Sequence, residues 1–186
     1  VKAFKGFKKD LSCMGYKFKE GVINTEKEAN CVRNGLHCAE NPLDCLSYYP
    51  NWDNSVYYIV DAMGDIDEDG TDSKISCTEM MLVKKLTLEE FVFESLEYIR
   101  RYPLRKSNNH IKEQEAFATN GFEIVRGKHP KASGSIGTVL GFAREEDTST
   151  RIIEMAAVVV DGEIIKANTW YTLLDNKLIE EREEKG

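Results

Sequence analysis

The chain lacks any apolar run approaching the ~20 residues that cross a bilayer as a helix, which excludes a helical membrane span on pattern alone. It begins at Val1 and shows no secretory signal pattern. Positive charge is in deficit: 25 Lys and Arg stand against 32 Asp and Glu, for a net charge of -7. That balance disfavours nucleic acid as a partner, because such proteins present a basic face. Local basic clusters at 2–19 and 100–112 read as solvated faces. A disulfide framework is also missing. The five cysteines (Cys13, Cys31, Cys38, Cys45 and Cys77) are odd in number and irregular in spacing, which predicts free thiols in a reducing, cytoplasmic compartment.

Other absences narrow the chemistry. Cys31, Cys38 and Cys45 are seven apart and lack the paired short spacing of zinc knuckles. On a strand, adjacent His37 and Cys38 point to opposite faces, so they neither share an ion nor form a direct Cys-His pair. The reading is therefore no metal. Asp65, Asp67 and Asp69 with Gly70 open like a calcium loop, but Ser76 stands where the bidentate glutamate belongs. An acidic hairpin turn is the preferred reading, with a weak calcium site as the alternative.

What is present is an ordinary globular composition, 41% hydrophobic and 31% charged. Residues 1–7 alternate as a strand. Thr25 with Glu28 carries a capping-box spacing that predicts a short helix. A strand at 36–38 precedes a helix start at Asn41, Pro42 and Asp44. Strands follow at 55–62 and 75–86, and then Thr87 with Glu90 opens a helix with one apolar stripe through Leu88, Phe91, Val92, Leu96 and Ile99. Glycine and alanine recur through 116–143, as in a wound β-coil or a glycine-rich loop. Residues 151–166 read as a hairpin turning at Asp161-Gly162, and 169–180 as a second turn and strand at Asp175-Asn176. The expected organisation is an α+β domain over 1–103, a linker over 104–118 and a β-rich unit over 119–186.

Two resemblances add to this. Phe4-Lys5-Gly6-Phe7, the run Gly35-Leu36-His37-Cys38-Ala39-Glu40-Asn41-Pro42-Leu43-Asp44, Asp72-Ser73-Lys74, and Ile165 through Leu173 resemble a family of uncharacterised bacterial and prophage-associated proteins, many with a β-helical glycine–alanine repeat between their ends. That family brings no established activity. The order of elements is also similar to the ADP-ribosyltransferase core. Lys5-Gly6 stands at its first strand, the Gly35-Leu36-His37 strand leads to a helix ending in Tyr48-Tyr49, Ile59 through Gly64 stands at its next strand, and Glu79 stands where the catalytic glutamate opens the last one. Its first polar position, usually histidine or arginine, here holds Lys5, and its stacking tyrosine position holds His37.

This second resemblance implies an ADP-ribosyltransferase-like mixed sheet with short helices, and the hairpin patterns and glycine–alanine stretch add a small β-rich unit of hairpins or a β-helix remnant after it. It implies catalytic roles for Glu79, His37 and Lys5, and a nucleotide such as NAD held by Lys5, Gly6, Gly35, His37, Tyr48 and Tyr49. The functional expectation is an uncharacterised mobile-element-type protein with a nucleotide-binding domain. The alternative is a non-catalytic protein that assembles through its C-terminal β unit with itself or a protein partner.

Overall fold

The computed structural model describes residues 1–31, 33–105 and 109–182. The chain forms two compact units, Val1–Leu86 and Thr87–Gly186.

Among the described residues the first unit holds seven strands: β1 (Lys2–Lys8), β2 (Ser12–Cys13), β3 (Tyr16–Lys17), β4 (Ile23–Thr25), β5 (Leu36–Ala39), β6 (Ser55–Glu68) and β7 (Lys74–Lys85). β6 and β7 make a long hairpin, from Tyr58 opposite Lys85 to Glu68 opposite Ile75. β1 lies antiparallel to β6 over seven positions, from Lys2 opposite Asp61 to Lys8 opposite Ser55. β5 pairs with β7 on one side and touches β1 on the other. The sheet therefore returns on itself through β5, β1, β6 and β7, a four-stranded barrel with β4 added along β7. Its interior holds Ala3, Phe7, Phe18, Leu36, Cys38, Tyr58, Val60, Met80 and Leu82 among others. Phe7 meets Phe18 and Tyr58 edge-on, at ring separations of 5.0 and 5.7 Å. That arrangement suits the quadrupoles of packed aromatic rings.

The helix start at Asn41 forms, but as a six-residue 3-10 turn, Pro42–Ser47. Asn41 Oδ1 accepts from Leu43 N at 3.1 Å, and Pro42 occupies the first turn, as the cap requires. Tyr48 N and Tyr49 N then both donate to the Cys45 carbonyl and close the turn before a regular α-helix is established. The helix expected after Thr25 is absent, because Thr25 belongs to β4 and pairs with Glu79. There, strand pairing outweighs a two-residue capping signal.

The second unit opens with helix α1 (Leu88–Arg101), whose capping box is complete. Thr87 N donates to Glu90 Oε2 at 2.9 Å, and Glu90 N donates to Thr87 Oγ1 at 3.2 Å. Six strands follow: β8 (Ile111–Ala118), β9 (Phe122–Gly134), β10 (Val139–Glu145), β11 (Ile152–Val159), β12 (Tyr171–Leu174) and β13 (Lys177–Glu180). β9 runs parallel to both β8 and β10, with Ala116 opposite Ala132 and Phe122 opposite Val139. Successive stretches of chain thus pass beside one another in a curled half-barrel. β12 and β13 turn at Asp175 and Asn176, both at positive φ (52° and 59°), the conformation a tight hairpin demands. After β11 the chain makes a local turn instead of a returning strand. Asp161 Oδ1 accepts from Glu163 N and Ile165 N and holds 161–165 in an Asx-type loop.

These observations overturn the expected α+β, ADP-ribosyltransferase-like mixed sheet. Strands make up 51% of the described residues and helices 13%, and the strands form a closed barrel and a curled half-barrel. The physical reason is that one local helix signal yields to strand pairing and the other gives only a six-residue 3-10 helix. Meanwhile β6 runs on to Glu68, six residues past the stretch whose composition marks it as a strand.

The α1 face buries Phe91, Val92 and Leu96, and the sheet meets it at Gly141. A β-carbon at Gly141 would lie 2.7 Å from Val92 Cγ1 and 3.1 Å from Ile124 Cγ1. Gly141→Ala is expected to cost about 1–3 kcal/mol through this overpacking. Chemical denaturation that showed no loss would remove the close helix–sheet approach as the reason for glycine here.

Candidate functional site: a buried lysine at a cleft in the barrel wall

Strand alternation places Ala3, Lys5 and Phe7 on the inward face of β1. Ala3 and Phe7 join the apolar core, and between them Lys5 is only 5% exposed. The pairing of β1 with β5 is short, holding at Phe4 opposite Ala39. Next to it, the Lys5 ammonium reaches across and donates to the His37 carbonyl at 2.5 Å. It also lies 3.6 Å from Cys13 Sγ, and 5.4 and 5.2 Å from the ring centres of Phe7 and Phe18. Among the described residues no carboxylate pairs with it.

Magnitudes show what this leaves undone. Removing an ammonium from water costs several kcal/mol even after relaxation. A hydrogen bond to a charged group returns about 1.5–3 kcal/mol. A ring face adds about 0.5–2 kcal/mol. Hydrogen bonding and ring contacts therefore compensate Lys5 in part, and its charge is not neutralised.

The ammonium borders a cleft of about 510 Å³. Beside Lys5 the cleft is lined by Cys13, Met14, Tyr16, Phe18 and the stretch Arg33 to His37, with Glu26, Lys27 and Glu28 also on its wall. The base is aromatic and the rim is charged with both signs. Gly35 sits at φ 96°, a backbone conformation that favours glycine, and it turns the chain from Asn34 into β5.

His37 is half-buried and lies opposite Ser76 of β7. Burial first, then the charges of Lys5 and Lys74, hold its pKa below the usual histidine value. Cys38, the next residue, faces the core, where burial and a hydrogen bond with Cys77 hold its thiol well above the ordinary value, the bond being the larger cause. Burial pushes the Cys45 thiol up to about 12. Tyr49 packs its ring over Gly6, where a β-carbon would come 2.8 Å from Tyr49 Cδ2. Burial, then a hydrogen bond between its side chain and that of Cys13, raises the Tyr49 pKa. Tyr57 donates its hydroxyl to the Tyr49 carbonyl.

The structure thus brings three of the sequence-selected residues, Lys5, Gly35 and His37, to one cleft wall. Gly6 and Tyr49 stack against each other. Tyr48 is 59% exposed and carries the Lys74 ammonium over its ring at 4.6 Å. Glu79 pairs with Thr25 of β4 and Met63 of β6. It stands three residues along β7 from Ser76, roughly 10 Å of strand, and does not line the cleft. Asp65 and Asp67 lie at the end of β6, with Asp69 just beyond it, and Asp67 Oδ2 accepts from Cys31 N at 2.7 Å. Among the described residues no group of three or more His, Cys, Asp or Glu side chains is placed to hold a metal ion.

Sequence reasoning missed Cys13, Tyr16, Phe18 and Arg33 as site residues. The signal available for them was indirect. In the alternation of 1–7, Lys5 occupies an apolar phase, and a charge in that phase needs a polar or aromatic shell drawn from elsewhere in the chain.

The family model of a domain of unknown function, DUF7666, matches residues 1–94, and the chain belongs to that family. The match contains every cleft residue. No curated protein and no solved structure matches the chain. Among the described residues no helix is long and apolar enough to cross a membrane.

The lowered pKa of His37 has a definite sign. The unfolded chain binds its proton more tightly than the folded one, so stability is fully present above the ordinary histidine pKa of about 6.5 and declines as pH falls through and below it. Melting temperature is expected to drop between pH 7.5 and 5, and His37→Gln is expected to flatten that slope. An unchanged slope in the variant would assign the pH response to other groups.

Proposed function

We propose that the barrel of residues 1–86 is a binding module for a small anionic ligand, a molecule bearing a phosphate or carboxylate next to a flat ring. The observation that carries this reading is the buried Lys5 ammonium, which among the described residues has no carboxylate partner and forms part of a cleft wall. An anion docked there would supply the missing charge. Tyr16 and Phe18 offer ring faces, and Arg33 and Lys27 offer further cationic contacts at the rim. Glu26 and Glu28 limit how much negative charge the rim accepts and favour an anion inserted at the Lys5 end. Nucleotides, NAD among them, satisfy this chemistry, and so do aromatic carboxylates. In this reading Lys5 and His37 bind ligand, Gly35 shapes the wall, and the fold supplies no separate argument for group transfer.

The test is a thermal-shift and calorimetric panel of mononucleotides, NAD, aromatic carboxylates and inorganic phosphate, run on the wild type and on Lys5→Met. Lys5→Met fills the same volume without charge, so the free protein is expected to be as stable or more stable. Ligand stabilisation is expected to fall at least tenfold in affinity, about 1.4 kcal/mol. Absence of any shift across the panel, or equal shifts in both proteins, would overturn the reading.

A second reading concerns the half-barrel. β11 lies at one end of its sheet, beside β10 alone, and its eight residues include a single charged one, Glu154, which is buried against Arg144. Ile153 and Val159 are more than a third exposed. An apolar edge without charged or proline guards invites pairing with another strand. This supports assembly of the protein with a second copy through β11. Light scattering on the eluting protein at micromolar concentration is expected to give a dimer that Ile153→Lys converts to a monomer. A monomeric wild type would remove this reading.

A further inference from the structure

Cys13 differs from the other four cysteines in that they are buried and it is not. It lines the cleft and is therefore reachable by a small solute. Its sulfur lies 3.6 Å from Lys5 Nζ, while Lys5 is fixed from behind by the His37 carbonyl and from the sides by Phe7 and Phe18. A nucleophilic sulfur open to solvent is thus held against a nitrogen whose rotamers are locked. Such pre-positioning converts a bimolecular encounter into an intramolecular one.

We propose that Cys13 and Lys5 form a modification site, at which peroxide oxidation of Cys13 leads to a covalent sulfur–nitrogen bond with Lys5. In the first step hydrogen peroxide oxidises the thiol to a sulfenic acid, and its O–O bond breaks with release of one water. Sulfur gives up two electrons and peroxide accepts them. In the second step the Lys5 nitrogen, after losing a proton to solvent, attacks the sulfenic sulfur. The S–O bond breaks, the S–N bond forms, and the departing oxygen leaves as water. The net change is a thiol, an ammonium and one peroxide converted to a sulfenamide, two waters and one proton. Sulfenic acids are known to condense with nitrogen in this way, and thiols reverse the product. The reaction consumes the cleft's buried charge, so the oxidised protein presents a neutral wall where the reduced one presents a cation. The site depends only on the Lys5–Cys13 geometry and stands whether or not an anion binds.

The experiment is peptide mapping of the full-length protein after mild hydrogen peroxide treatment. Trypsin cuts after Lys2, Lys8, Lys9 and Lys17, and it cuts after Lys5 only while that side chain is unmodified, so the link gives residues 3–8 joined to residues 10–17. The expected product is that pair joined, two hydrogens lighter than the sum of the free peptides, lost on dithiothreitol treatment and absent in Cys13→Ser. Intact Lys5→Met protein is expected to show Cys13 advancing to stable oxygen adducts instead. Oxygen addition at Cys13 in the wild type without the link, or no reaction there while circular dichroism shows a folded protein, would overturn the proposal. Because the readout is a mass and needs no ligand, its failure leaves the anion-binding reading to its own test.

Discussion

The barrel of this protein is organised around one expensive choice, a lysine ammonium held inside an apolar shell. Ala3, Phe7, Phe18 and Tyr58 would make a conventional hydrophobic interior. Lys5 interrupts it and imposes requirements on its surroundings. The His37 carbonyl must turn toward it, Phe7 and Phe18 must show it their faces, and Cys13 must approach. The ladder between β1 and β5 is short, and beside it the Lys5 side chain spans from one strand to the other. Buried charges that weaken a fold persist when function requires them, and membership in a family without assigned activity leaves that function to be read from the site.

Parts of this arrangement were legible in the sequence for identifiable reasons. Alternation in 1–7 is a backbone property, so β1 formed as expected, and the Thr87–Glu90 capping box is local enough to specify α1 on its own. The same locality misled at Thr25, where an identical spacing sits in a strand, because β7 offers a ladder that outcompetes one capping bond. Fold class failed for a related reason. Barrel closure depends on β7 pairing with both β5 and β6, and no window of sequence contains that information.

The site was half legible. His37 and Lys5 stood out by chemical type, and Gly35 by its place before a strand. Cys13, Phe18 and Arg33 are separated from them by loops whose path depends on the barrel, so nothing in their neighbourhood announced a shared wall. Glu79 illustrates the opposite case. A glutamate opening a strand is a common pattern, and the register places it beside Thr25 and Met63, away from the cleft lining.

The position of β7 has a consequence for synthesis. Of the barrel strands it is the last to be made, yet three earlier strands hydrogen-bond to it. Until residues 74–85 clear the ribosome, β4 and β5 have no ladder along that side and the apolar face of β1 has no enclosure. At translation rates of about 5–20 residues per second, this leaves seconds during which the nascent chain must be kept from other strands. Burial of Lys5 behind the β5–β7 side of the barrel therefore awaits the last strand of the unit.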